Sequence, residues 1–135
     1  MKLLLKKGHR LLYISIVVLF FVLLYPLLYF YSRKESRFAT LNKVRQFYSY
    51  ISSAFAGIFF KYKMESSIDW SRTYIVCPNH TSNLDIPGIT MAVKGNFAFI
   101  GKDELLENPV LKIFFRTIDI PINRDSKISA FKAFK

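Results

Sequence analysis

His80 and Asp85 stand at a spacing from which acid–base chemistry can be built, within the segment Pro78-Asn79-His80-Thr81-Ser82-Asn83-Leu84-Asp85. On one continuous helix they would sit about 140° apart around the axis and could not meet. They can meet if the chain turns at His80 and a helix starts at Ser82 or Asn83. Asp85 then falls in the first helical turn, and its carboxylate points back toward the imidazole. Ser82 and Asn83 are good N-cap residues, and an acid in the first turn complements the helix dipole. Pro87 is tolerated only within a first turn, which places the helix start here. A carboxylate on a histidine fixes the tautomer and strengthens the base, so the pair predicts activation of a hydroxyl or water. The same spacing also fits a loop histidine beside an ordinary helix acid. No second histidine, acidic cluster or cysteine pair supplies a metal ligand set, and no G-x-S-x-G elbow supplies a serine nucleophile.

The elements that must position this turn follow from patterning. Thr73–Cys77 and Phe97–Ile100 are short apolar, β-rich runs of strand length, here numbered 73–77 and 97–100. A third run, 118–122, carries Pro121, which confines it to an edge or a strand end. Helix-like stretches lie between them at 83–93, at 102–116 with a break at Pro109, and from Ser126 onward. Strands alternating with helices predict an α/β unit over 64–135 with a mainly parallel sheet and its site at the strand ends. The pattern Ile128, Phe131, Phe134 runs up to Lys135 without a stop signal, so an incomplete domain is expected.

Residues 1–63 read as a membrane-anchoring region. Residues 11–31 form an apolar run whose only polar side chains are Ser15 and tyrosine hydroxyls. As a helix it covers roughly 30 Å, the thickness of a bilayer's hydrocarbon core. Pro26 predicts a kink, and Tyr25, Tyr29 and Tyr31 cluster as interfacial aromatics do. Residues 40–61 alternate apolar positions by three and four (Leu41, Val44, Tyr48, Ile51, Phe55, Ile58), with Asn42, Arg45, Gln46, Ser49, Ser52 and Ser53 mostly elsewhere on the wheel. This predicts an amphipathic helix, either interfacial or facing the core.

Charge divides the same way. Of 20 basic and 9 acidic residues, eleven basic residues and the single acid Glu35 lie in 1–63, against nine and eight in 64–135. Excess charge around the greasiest segment favours a membrane surface and excludes a nucleic-acid partner, which would draw the excess onto the folded domain. Basic residues flank the first helix on both sides, so it either spans or dips in as a re-entrant hairpin from the cytoplasmic face. The lone Cys77 excludes an internal disulfide framework.

Three ordered motifs give a resemblance. Asn79-His80-x4-Asp85 is similar to the first block of the glycerolipid acyltransferases, the 1-acylglycerol-3-phosphate acyltransferase group. Lys102-Asp103-Glu104-Leu105 is similar to their K-x-E-L segment, and Ile120-Pro121-Ile122-Asn123-Arg124 resembles the second block, a hydrophobic run ending in D/N-R. The resemblance covers roughly residues 70–135. Lys112 stands where many relatives have glycine, and the third block, of E-G-T-R type, would lie beyond Lys135. The resemblance implies an incomplete acyltransferase α/β domain behind the membrane helices. It implies acyl transfer from acyl-CoA or acyl carrier protein to the sn-2 hydroxyl of lysophosphatidic acid, or to another lysolipid or glycerol-3-phosphate. His80 and Asp85 would be catalytic, and Arg124 and Lys102 would bind the acceptor's phosphate. No metal or cofactor is implied, membrane lipids are the expected partners, and the expected location is the cell membrane with the site on the cytoplasmic side. An inactive membrane-anchored piece is the remaining expectation.

Overall fold

The computed structural model describes residues 2–79 and 82–123. Helix α1, Lys2–Ser32, contains the predicted apolar run and continues through Pro26. A 3-10 turn, Glu35–Arg37, reverses the chain into α2, Phe38–Phe55. The two helices lie antiparallel. The hydroxyl of Tyr48 donates to the Val17 carbonyl at 3.0 Å, and one turn or two further out His9 Nε2 meets the Ala56 carbonyl at 3.1 Å. Phe21 and Leu28 of α1 bury against Leu41 and Tyr48 of α2, and the cluster continues into Ile113, Phe114 and Ile118.

Helix α2 ends six residues before the predicted limit at 61, for a local reason. Gly57 has φ +73°, its N–H bonds the Ala54 carbonyl at 3.0 Å, and the Ile58 N–H bonds the Ser53 carbonyl at 2.8 Å. This is the left-handed glycine termination that closes a helix and satisfies its last carbonyls. The orientation of α2 also differs from an ordinary amphipathic helix. Its buried residues include Asn42, Arg45, Ser49, Ser52 and Ser53, while Phe47, Tyr50 and Phe55 are exposed. The polar face turns inward because its partners are there. Asn42 Nδ2 donates to Asn96 Oδ1 (2.6 Å) and to the Phe97 carbonyl (2.8 Å), and Gln46 donates to the Val93 carbonyl (2.7 Å).

Helix α3 spans Asp85–Ala92, close to the predicted 83–93. Strands β1, Ile100–Lys102, and β2, Ile120–Ile122, pair in parallel with Gly101 opposite Pro121. The predicted parallel α/β character therefore holds, with shorter strands than the runs suggested. The crossover between them is a 3-10 turn, Asp103–Glu107, followed by α4, Lys112–Phe115, in place of one helix over 102–116. Asn108 makes the division: its Oδ1 accepts the N–H groups of Val110 and Leu111, both at 3.0 Å, and closes the turn that leads into α4. The crossover packs directly on the strand, because a Cβ at Gly101 would lie 2.6 Å from Phe115 Cζ and 2.8 Å from Leu105 Cδ1.

The run 73–77 forms no strand. Ile75 is 75% exposed, and no ladder partner adjoins it among the described residues. Strand propensity expresses a fit to neighbouring strands more than a preference of the isolated backbone. In 97–100 only Ile100 joins β1, because the Phe99 N–H goes to Asp119 Oδ1 at 2.9 Å. The predicted helix from Ser126 lies outside the described residues.

Candidate functional site

The turn entering α3 is built by reciprocal capping. Ser82 Oγ accepts the Leu84 N–H at 3.2 Å, and the Ser82 carbonyl accepts the Asp85 N–H at 3.1 Å. In return, Asp85 Oδ2 accepts the Ser82 N–H at 2.9 Å. This is close to a capping box, with an acid three residues after the capping serine. The helix begins at Asp85 itself, slightly later than Ser82 or Asn83, and Pro87 sits in its first turn where no N–H is needed. The half-buried Asp85 carboxylate thus folds back along the chain onto the Ser82 N–H. His80, the other half of the expected dyad, lies outside the described residues.

Neighbouring segments hold α3 at both ends. The Tyr62 hydroxyl donates to the Gly88 carbonyl at 2.7 Å, and the Phe60 ring lies so near that a Cβ on Gly88 would approach Phe60 Cε1 to 3.0 Å. Burial pushes the Tyr62 phenol above its usual range, which keeps it a donor. Gln46 holds the other end through Val93. Beside α3 runs an apolar groove of about 490 Å³, with Phe47, Tyr50, Ile58, Phe59 and Met91 in its walls. The Ser53 hydroxyl also lines it, buried and without a hydrogen-bond partner.

Lys102 ends β1, opposite Ile122 at the end of β2. Its ammonium lies 3.7 Å from Glu104 Oε2 on its own segment, with both side chains largely in solvent. Such a pair holds the lysine weakly. Arg124, two positions beyond Ile122 in sequence, lies outside the described residues. The structure therefore brings the chain entering Arg124 and the Lys102 position to the same carboxyl edge of the strand pair. That edge is where ligands bind in parallel α/β sheets. Among the described residues no cluster of three His, Cys, Asp or Glu side chains forms a metal site.

Sequence reasoning missed the strongest electrostatic contact. Arg45 of α2 forms two bonds to Asp119, Nη1 to Oδ1 at 3.0 Å and Nη2 to Oδ2 at 2.8 Å, in a buried setting. Burial pulls the guanidinium pKa down while the Asp119 charge opposes that shift. The available signal was a lone acid inside the apolar run 118–122, since a charge in such a run needs a buried partner.

A family model described as Acyltransferase matches residues 59–134, more than half of the chain. The match takes in the Ser82–Asp85 turn, α3 and both strands, along with the positions of His80 and Arg124. No curated protein and no solved structure matches the chain. By this match over more than half of its length, the chain belongs to the acyltransferase family.

Proposed function

We propose that this protein acylates the sn-2 hydroxyl of lysophosphatidic acid, using acyl-CoA or acyl carrier protein as donor, to give phosphatidic acid. The observation that carries the reading is the Asp85 carboxylate folded back over Ser82 at the start of α3, inside a domain of the acyltransferase family. His80 removes the acceptor's hydroxyl proton, and Asp85 orients and stabilises the imidazolium. The hydroxyl oxygen attacks the thioester carbonyl, a C–O bond forms, the C–S bond breaks, and the thiolate leaves with the proton from His80. Arg124 suits bidentate phosphate recognition, with Lys102 adding a point charge at the same strand edge. Neither a covalent enzyme intermediate nor a metal is required by this sequence of steps.

The helical half fits a lipid substrate. One helix, within Lys7–Ser32, is long and apolar enough to cross a membrane. Its residues Phe21 and Leu28 share one apolar cluster with Ile113, Phe114 and Ile118, whose neighbours Lys112 and Arg116 are exposed. A perpendicular span would draw those cations toward the hydrocarbon, at a cost that reaches roughly 2.5–3.5 kcal/mol for each at the bilayer centre. An in-plane or shallow position on the cytoplasmic leaflet avoids this and keeps both basic flanks on one side. An impermeant reagent on intact cells should then label neither an N-terminal tag nor a Lys34→Cys variant. Labelling of one of the two would restore the span.

The reaction is tested by acyl transfer in membranes or detergent, against lysophosphatidic acid, glycerol-3-phosphate, a lyso-ornithine lipid and other lysophospholipids. Turnover should be greatest with lysophosphatidic acid and should vanish in His80→Ala. Another acceptor in first place corrects the substrate, retained turnover in His80→Ala removes the general base, and no transfer to any acceptor overturns the reading.

A further inference from the structure

We propose that Arg45 and Asp119 are positioning residues that set the phosphate-binding edge of the acceptor site from the opposite end of the strands. The inference rests on the acyl-transfer reading above. Side-chain exposures are 6% for Arg45 and 1% for Asp119, and the guanidinium is ringed by Phe97 and Phe99 at 5.2 Å and by Phe114 at 4.5 Å. A buried ion pair is a poor source of stability, because desolvating two charges offsets much of their attraction. Apolar side chains would fill the same space at similar or lower cost. What the ion pair adds is direction, since a two-point fork fixes where the carboxylate lies.

That carboxylate is placed to govern register. Asp119 immediately precedes β2, and its Oδ1 also accepts the N–H of Phe99, which immediately precedes β1, at 2.9 Å. The Ile120 N–H then donates to the Phe99 carbonyl at 2.8 Å and starts the parallel ladder. Asn42, bonded to Arg45 through its Oδ1 at 3.2 Å, holds the segment before β1 through Asn96 and Phe97. All these tethers meet at the amino ends of both strands. Each strand has only three residues, and so short a pair specifies its own register weakly. The staple at the entry therefore fixes Lys102 opposite Ile122 at the exit, about 10 Å on at roughly 3.3 Å per residue. A slip of one residue would turn Lys102 to the other face and shift the chain that leads into Arg124.

The test is steady-state kinetics of Arg45→Lys and of the double variant Arg45→Met/Asp119→Leu. Each is assayed with lysophosphatidic acid and with a phosphate-free monoacylglycerol acceptor, with circular dichroism as the measure of folded protein. The inference expects acceptor KM for lysophosphatidic acid to rise about tenfold or more, donor KM to stay within twofold, and the preference for the phosphate-bearing acceptor to collapse. A merely structural pair would lower the folded fraction and leave that preference unchanged in the protein that remains folded, which would overturn the inference. So would a folded double variant with wild-type acceptor KM, and so would failure of both variants to fold, which assigns the pair to the fold alone. A wild-type protein with no acyl transfer to any acceptor overturns the proposed reaction itself, and the inference with it. An active wild type whose variants keep their preference overturns the inference only.

Discussion

Asp85→Asn separates the structural from the chemical role of this carboxylate. Structurally, Asp85 Oδ2 accepts the Ser82 N–H at 2.9 Å in the first turn of α3. An asparagine keeps a carbonyl oxygen of the same shape, so the bond survives as a neutral one. The loss is the charge assistance and the favourable interaction with the helix N-terminus, together about 1 kcal/mol. Against a domain stability of roughly 5–15 kcal/mol, that leaves nearly all the protein folded. Chemically, under the proposed mechanism, the same substitution removes the charge that would orient His80 and stabilise its protonated form. General-base assistance of this kind contributes about 10²- to 10⁴-fold, equivalent to roughly 2.7–5.4 kcal/mol of barrier. The loss of kcat should therefore exceed the loss of stability several-fold in free energy. The assay follows thiol release from the acyl donor at saturating acceptor, alongside thermal unfolding of both proteins. Asp85→Ala provides the contrast, because it removes the cap as well and should cost about 1–2 kcal/mol of stability. A kcat of Asp85→Asn within tenfold of wild type, in a folded protein, would refute the catalytic assignment and leave Asp85 a capping residue.

Two further substitutions probe the scaffold. Ser53→Ala removes a buried hydroxyl that has no partner and places a better helix former in α2, so stability should stay level or rise by up to about 1 kcal/mol. A fall of more than that in the denaturant midpoint analysis would mean that the hydroxyl is satisfied in solution. Gly101→Ala drives a methyl group against Phe115 and Leu105, and the buried ring at 2.6 Å cannot simply rotate away. It should cost about 1–3 kcal/mol, seen as a lower thermal midpoint, and an unchanged midpoint would show that the crossover does not rest on the strand.

The parts of this fold that were legible in the sequence are those decided within a few residues. The turn at Ser82, the first-turn acid and the placement of Pro87 follow from capping chemistry, and the structure reproduces them to within three residues. The apolar length of α1 needs no partner to be recognised. Features decided by distant residues were not legible. The orientation of α2 depends on Asp119, 74 positions from Arg45, and on backbone carbonyls at Val93 and Phe97. Apolar periodicity could find that helix but not choose which of its faces would be buried. The run 73–77 fails for the same reason, since its composition suits a strand only where another strand adjoins it. His80, the expected base, and Arg124, the expected phosphate ligand, lie outside the described residues.

Helix α2 explains how the long apolar helix α1 and the acyltransferase-family domain, of such different composition, are joined so closely. One side of it receives α1 through Leu41 and Tyr48. Another side holds the end of α3 through Gln46 and the entries of both strands through Asn42 and Arg45. Its remaining aromatic face, with Phe47, Tyr50 and Phe55, is exposed and adjoins the groove beside α3. A helix is about 10 Å across, so apolar surface and site-bearing elements are separated by little more than one helix width. That distance matters for the proposed reaction, whose acceptor is a lipid. Extracting a long acyl chain into water costs about 0.8 kcal/mol per methylene, more than a domain of this size can readily offset by binding the head group alone. Under the proposed reaction this arrangement would avoid the extraction, the acceptor's chain staying against apolar surface while its hydroxyl reaches the Ser82–Asp85 turn. The inward polar face of α2 is what holds the strand entries and α3, since Asn42, Arg45 and Gln46 reach Phe97, Asp119 and Val93 from it, and a helix with apolar side chains on every face would offer them no such bonds.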